Sequence, residues 1–302
     1  MFKPIRLIPD NPNIHFLAIR TPALMASIAI TLIAIVLIFA PGLNFGIDFK
    51  GGILIEARFE QTPDVANLRG EMEALGLGQI ALQAVGTDGH DIMLRIPQQQ
   101  DGDAGNQLAI QKVRDHFGSS VTEYRRIEMV GPQVGSELIK TSLLAVILST
   151  AGILAYLWFR FDRAYSLATI AALMHDIIAT LGFFAITQID FDLSTVAAVL
   201  LISGYSLNDT VVVFDRIREN LRRYKSKTNL EVAHLSLNET LFRTMMTSGT
   251  TLLVLISLYL FGGEVIRSFT LALIVGIIVG TYSSIWLAVP VWLMLEKEKP
   301  KL

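Results

Sequence analysis

Residues 203–223 read SGYSLNDTVVVFDRIRENLRR, and this stretch decides the class of the chain. An apolar, helix-forming run carries a carboxylate, Asp209, shortly before a strongly basic segment. The next apolar run carries an arginine, Arg243, at a comparable distance beyond that segment. A charge at the centre of a bilayer costs about 3 kcal/mol on insertion scales and more on an isolated helix, so such residues mark an ion path or a charge pair. The pattern predicts a membrane protein that handles a proton or another ion.

Composition agrees. Hydrophobic residues make up 52% and charged residues 17% of the chain, against about 25% charged in soluble domains. The net charge of −2 carries no nucleic-acid footprint, and the absence of cysteine excludes disulfides, thiolate catalysis and iron–sulfur or zinc–cysteine sites. No cofactor or metal is expected. Six runs are long enough to cross about 30 Å of hydrocarbon: residues 23–40, 138–159, 164–187, 193–214, 240–261 and 266–295. The first exceeds a signal-peptide core, and Pro41 follows Ala40 where cleavage would fall. It is therefore expected as a retained helix.

Basic residues set the expected orientation. Lys3, Arg6, Arg20, Arg160, Arg163, the cluster Arg216, Arg218, Arg222, Arg223, Lys225 and Lys227, and the terminal Lys297, Lys299 and Lys301 all fall on one side. The short loops at 188–192 and 262–264 contain no lysine or arginine. The N-terminal segment 1–22, a basic loop 215–239 and the tail 296–302 are thus expected in the cytoplasm.

The exported segment, 41–137, reads as a small α/β domain. Residues 53–59 alternate like a strand with one buried face. Thr62 is expected as the N-cap of a helix, with Pro63 at its first position, Asp64 in an acidic first turn and Gly76 at its end. Residues 79–85 and 91–97 read as strands around the turn 86–89, residues 98–105 as a polar loop, 106–117 as a helix and 121–130 as a last strand. The order β-α-β-β-α-β predicts a ferredoxin-like sandwich. Gly51 and Gly52 suit a structural turn or a close backbone approach. His90, His116, Glu56 and Asp91 form no recognisable catalytic motif, so the domain reads as a binding or docking module and the chain as no enzyme.

Inside the spans, Asp209 and Arg243 are placed to pair across two antiparallel helices. A relay, a purely structural ion pair and a snorkelling arginine all fit that spacing. Tyr205, Ser206 and Asn208 lie within a turn of Asp209, and Thr247 and Ser248 within about a turn of Arg243. They suit water positioning or interhelical hydrogen bonding. His175 and Asp176 sit mid-span, but neighbouring residues point different ways on a helix and form no dyad by adjacency alone. Asp215 suits pairing with Arg218 or Arg222. Gly276 and Gly280 form GxxxG, and Gly204 and Gly249 flank the charged region; all four suit close helix packing. The run 215–227 suits a solvated face or contact with anionic lipid.

Four motifs, GIDFKGG (46–52), VGPQVGSEL (130–138), GYSLNDTVVVFDRIRENL (204–221) and RTMMTSG (243–249), together resemble the SecD/SecF family of protein-export membrane subunits, on its SecF side, over nearly the whole chain. That family belongs to the resistance–nodulation–division superfamily. The resemblance implies half of a twelve-helix body in the bacterial inner membrane, completed by SecD, working with the SecYEG translocon and with YajC and YidC nearby. It implies coupling of proton influx to late release of unfolded exported polypeptides. The family's intramembrane relay falls on Asp209 and Arg243, and a further relay carboxylate belongs to SecD. Asp176 joins the relay candidates on its burial cost alone. Two alternatives stay open: half of a proton-driven exporter of small molecules or lipids, and a scaffold whose charges only fix helix register.

Overall fold

The computed structural model describes residues 12–78, 80–86, 88–263 and 266–296. Expectations for Lys3, Arg6, Gln79, Thr87, Glu264, Lys297, Lys299 and Lys301 lie outside the described residues. The chain divides into two compact units, one of which comprises Asn44–Ala145 and Asp190–Leu193.

In that unit, β1 (Gly52–Phe59), α3 (Val65–Ala74), β2 (Ala81–Val85), β3 (Asp91–Ile96), α4 (Gly102–Phe117) and β4 (Val121–Val130) follow one another. All pairings are antiparallel in the order β2-β3-β1-β4, the ferredoxin-like arrangement. Ile53, Ile55 and Ala57 pack under Leu68, Met72, Val113 and Phe117 of the helices. The second face of β1 is buried as well, contrary to a one-sided strand: β1 is central, and Leu54 and Glu56 lie between Arg95 and Glu128, and Met93 and Arg126, of its neighbours. The cap of α3 is Asp64, whose carboxylate accepts from the Ala66 amide at 2.9 Å, and not Thr62. The expected loop 98–105 supplies the first turn of α4. Fully buried Asn106 accepts from the Gln99 amide at 3.1 Å and folds that segment onto the helix start.

A short helix α2 (Ile47–Lys50) leads into β1 through Gly51 (φ +73°) and Gly52 (φ +122°). A Cβ on Gly52 would lie 2.5 Å from the Ile96 carbonyl oxygen, so this glycine serves both positive φ and close approach. A Cβ on Gly135 would lie 3.0 Å from the Phe49 carbonyl oxygen. The motifs at 46–52 and 130–138 are therefore packed on one another.

The second unit holds the membrane helices except the first part of α5, which up to Ala145 belongs to the sheet unit. Among the described residues, six helices are long and apolar enough to span a bilayer: Phe16–Phe39, Val134–Arg160, Arg163–Thr187, Leu193–Arg223, Asn229–Phe261 and Arg267–Leu295. They comprise α1 (Arg20–Phe39) after a 3₁₀ turn, α5 (Pro132–Arg160), α6 (Arg163–Thr187), α7 (Leu193–Arg223), α8 (Asn229–Phe261), and α9 (Arg267–Ser283) continued by a π turn at Ser284–Ala288 and α10 (Val289–Leu295). Pro290 has no amide to offer Trp286 and its ring crowds that carbonyl, so the wider π turn ahead of it relieves the helix. The apolar windows of α6, α7 and the last span are 61%, 50% and 61% buried, against 11%, 6% and 17% for α1, α5 and α8. The first three form the interior of the unit.

The segment 215–239, expected as a basic loop, is mostly helix. α7 runs on to Arg223 and α8 starts at Asn229 behind a capping box: the Thr228 hydroxyl accepts from the Glu231 amide, and the Glu231 carboxylate accepts from the Thr228 amide. Asn220 donates to Ser236 (3.0 Å) and Glu239 (2.6 Å), and Arg216 donates to Glu239 (2.7 Å), clasping the two extensions. The GxxxG face is used inside the chain. A Cβ on Gly276 would lie 2.4 Å from Ile202 Cδ1, and one on Gly280 2.9 Å from Ser206 Cβ.

Candidate functional site

The helical period of α7 turns Ile202, Ser206, Asp209 and Val213 inward and leaves Gly204 and Asn208 exposed. Asp209 is 3% exposed. Its Oδ2 accepts from Ser248 Oγ of α8 at 3.3 Å, and that hydroxyl lies 2.8 Å from Thr281 Oγ1 of α9. One carboxylate and two hydroxyls thus cross three helices.

The expected direct pair with Arg243 is not among the described ion pairs, and Arg243 is exposed on this chain's surface. Five residues separate Arg243 from Ser248, which at about 100° per residue puts them some 140° apart around α8. The helix that presents Ser248 to Asp209 therefore carries Arg243 out of direct contact but keeps it within electrostatic reach, with Thr247 a second donor to the carboxylate. Thr247 bonds the Arg243 and Thr244 carbonyls of its own helix (3.1 and 3.0 Å). Tyr205 donates to Thr251 across α7 and α8 at 3.1 Å. Asn208, exposed, lies off the buried face. Neither of these two α7 residues is among the described partners of Asp209.

Ser206 serves a different carboxylate. It donates to Asp176 Oδ2 of α6 at 2.5 Å, and Ser283 of α9 donates to the same oxygen at 2.8 Å. His175 Nδ1 lies 3.0 Å from Asp176 Oδ1, so adjacent residues do form a contact here, through side chains that curl toward each other. Asp176 is fully buried, and the other imidazole nitrogen of His175 is buried with no hydrogen-bond partner. The His175 ring lies 6.4 Å from that of Tyr282, whose hydroxyl meets Ser27 of α1 at 3.0 Å. Thr281, Tyr282, Ser283 and Ser27 escaped the sequence reading. The polar run TYSS (281–284) within an apolar span was the available signal.

In the sheet unit the titratable groups have ordinary structural partners. Asp91 accepts from Arg58 (3.1 Å) and Arg125 (2.7 Å), His116 meets Glu71 (3.1 Å) and His90 meets the Phe59 carbonyl (3.2 Å). The Arg58 guanidinium beside Asp88 holds that carboxyl below its usual range. Arg95 and Asp190 form a further ion pair, and Asp48 accepts from the Leu193 amide at the start of α7.

Residues 109–298 match the family described as protein export membrane protein SecD/SecF, C-terminal, and residues 36–63 match the SecD/SecF GG motif. The chain is 43% identical over 298 residues to the protein translocase subunit SecF of Rickettsia bellii (strain OSU 85-389), covering 98% of each chain. It is 44% identical to that of Rickettsia akari (strain Hartford), covering 98% of this chain and 96% of that one. Among solved structures it resembles SecDF from Thermus, described as a translocon-associated membrane protein, with a TM-score of 0.86 and 34% identity over 97% of this chain. A second similar structure is SecDF in its super-membrane-facing form, at a TM-score of 0.71 and 34% identity. The chain spans 40% of the length of each of these two SecDF chains.

Proposed function

The chain belongs to the SecD/SecF family of protein-export membrane proteins, and on that premise we propose that it acts as an accessory subunit of Sec-dependent export, the six-helix partner of a SecD-type subunit beside the SecYEG translocon. It has no catalytic site in this reading. Protons are its driving species, Asp209 their primary stop, Arg243 the charge that answers, and Asp176 a second, more firmly held carboxylate.

The observation that carries this reading is the hydroxyl chain from Asp209 through Ser248 to Thr281. With Asp209 ionised, Ser248 donates to it and Thr281 can donate to Ser248. With Asp209 protonated, the carboxyl itself can donate to Ser248, and Ser248 is freed to donate to Thr281. One proton thus reverses the polarity of the bonds between α7, α8 and α9. It also removes the negative charge nearest this part of α8, on which Arg243 rides. Gly204, Asn208 and Arg243 face outward from this chain, where a second subunit's carboxylate would answer the arginine. A charge crossing the membrane supplies about 2.3 kcal/mol per 100 mV, enough to bias a two-state element more than tenfold.

The orientation in this proposal puts the sheet unit outside and the α7–α8 turn in the cytoplasm of a bacterial inner membrane. The chain has no cysteine, so single cysteines at Gln99 and Lys225 test it: an impermeant thiol reagent should label the first and spare the second in intact cells. The mechanism is tested with Asp209→Asn, Arg243→Leu and the double variant. All three should assemble with the partner subunit and fail in proton-driven export. Normal export with Asp209→Asn would refute the relay and leave a structural carboxylate.

A further inference from the structure

A cleft of about 550 Å³ opens where α5 ends and α7 leaves the apolar region, lined by Arg160, Asp215, Arg218, Glu219, Arg222 and Arg223. Four guanidinium groups face two carboxylates, and both carboxylates are engaged. Asp215 takes two bonds from Arg160, each 2.9 Å, with Arg218 at 3.8 Å. Glu219 accepts from Arg216 at 2.8 Å. Arg222 and Arg223 take part in no ion pair among the described residues, so the cleft keeps an excess of positive charge.

We propose that this cleft binds the phosphate headgroup of an anionic phospholipid. Three features select that ligand. The first is depth: Arg160 closes α5 directly after Tyr156, Trp158 and Phe159, all exposed, and aromatic residues of this kind gather at the headgroup level of a bilayer. The second is preorganisation. The Arg160 and Arg218 guanidinium carbons lie 4.8 and 5.7 Å from the ring centre of Phe161, itself buried in the helix core. Both cations are therefore oriented before a ligand arrives, and planar guanidinium forks match phosphate oxygens. The third is the route for the acyl chains: α5 is almost unburied within this chain, which leaves an apolar surface running from the cleft into the bilayer. A soluble phosphate would use the arginines but not that surface.

The test uses the full-length protein in nanodiscs of phosphatidylethanolamine containing a minor fraction of phosphatidylglycerol, with retained lipids read by native mass spectrometry. Wild type should enrich phosphatidylglycerol. Arg222→Gln/Arg223→Gln should lower that enrichment roughly 30-fold, two arginines near an anionic surface each contributing about fivefold. Arg222→Lys/Arg223→Lys should restore most of it, and retention of phosphatidylethanolamine should be equal in all three. Unchanged enrichment in the glutamine variant would overturn the proposal. Displacement of the lipid by inorganic phosphate at equal concentration would also overturn it, assigning the cleft to a soluble anion. Loss of a co-purifying protein with lipid enrichment intact would overturn it in favour of an acidic peptide.

Discussion

Asp176 and Asp209 lie on consecutive helices and are both almost wholly enclosed, yet they are held in opposite ways. Asp176 is gripped from three directions: serines of α7 and α9 share one oxygen at 2.5 and 2.8 Å, and His175 sits 3.0 Å from the other. Among the described residues, Asp209 is held from one neighbouring helix only: Ser248 donates at 3.3 Å, Thr247 is a second donor, and Arg243 lies within electrostatic reach. A buried carboxylate with several donors ties helices together, because moving any one of them strands a polar group in a medium that offers no replacement. A carboxylate held from one neighbouring helix leaves its own helix freer to answer a proton. On the proposed function, the same residue type acts as a clamp at one position and as a moving part at the other. The two are joined through α7, which carries Ser206 and Asp209 three residues apart.

The largest effect expected from that contrast is on Asp176. Asp176→Leu removes the acceptor from Ser206, Ser283 and His175 together and should destabilise the membrane unit by about 3–5 kcal/mol. Unfolding in detergent would show it, and an unchanged transition would end the distinction between clamp and moving part. Gly276→Leu comes next: a side chain there must displace Ile202, at about 1–3 kcal/mol, measured in the same way. Ser248→Ala removes one of two donors to Asp209 and should destabilise by only about 0.5–1.5 kcal/mol while impairing proton-driven export. A stability loss as large as that of Asp176→Leu would show that the two sites do not differ.

A Cβ on Gly204 would meet no atom of the described residues within 4 Å. Gly204→Leu should leave the unfolding of the isolated chain within about 1 kcal/mol of wild type and weaken co-purification of a SecD-type subunit. This substitution separates the surface left open for a partner from the Gly276–Gly280 face, which is already filled.

The smallest effect belongs to the sheet unit's Arg58–Asp88 pair, which lies near water. The Asp88 carboxyl is held below its unfolded value by Arg58. Its contribution is therefore present above the ordinary carboxylate value near about 4 and fades as pH falls through the lowered folded value. Asp88→Asn should remove that contribution at neutral pH, slightly speeding amide exchange of β1 and β3, and flatten the acid limb, so that variant and wild type converge below the lowered folded value.

Much of this was legible in the sequence because the bilayer imposes strong local rules. Twenty apolar residues in a row, a glycine pair before an alternating strand and a βαββαβ sequence each point to one structure, and the six spans and the sheet order follow them. Local rules failed where a distant residue decided. The helical extensions of α7 and α8 look like a charged loop until Asn220 meets Ser236 and Arg216 meets Glu239. The polar residues around Asp209 look like one cluster until the helical period assigns Ser206 to Asp176 and turns Asn208 outward.

The sequence by itself determined that charges sit within membrane helices, since hydropathy and composition need no partner to be read. Only the tertiary structure decided which groups meet. Spacing along two helices sets the depth of Asp209 and Arg243 but not the rotation of α8 about its axis. That rotation follows from packing, with Ser248 turned in toward Asp209 and Thr281, and Arg243 turned out. The bonding of each carboxylate, and so the proposed difference between a clamp and a proton stop, is a property of three helices at once.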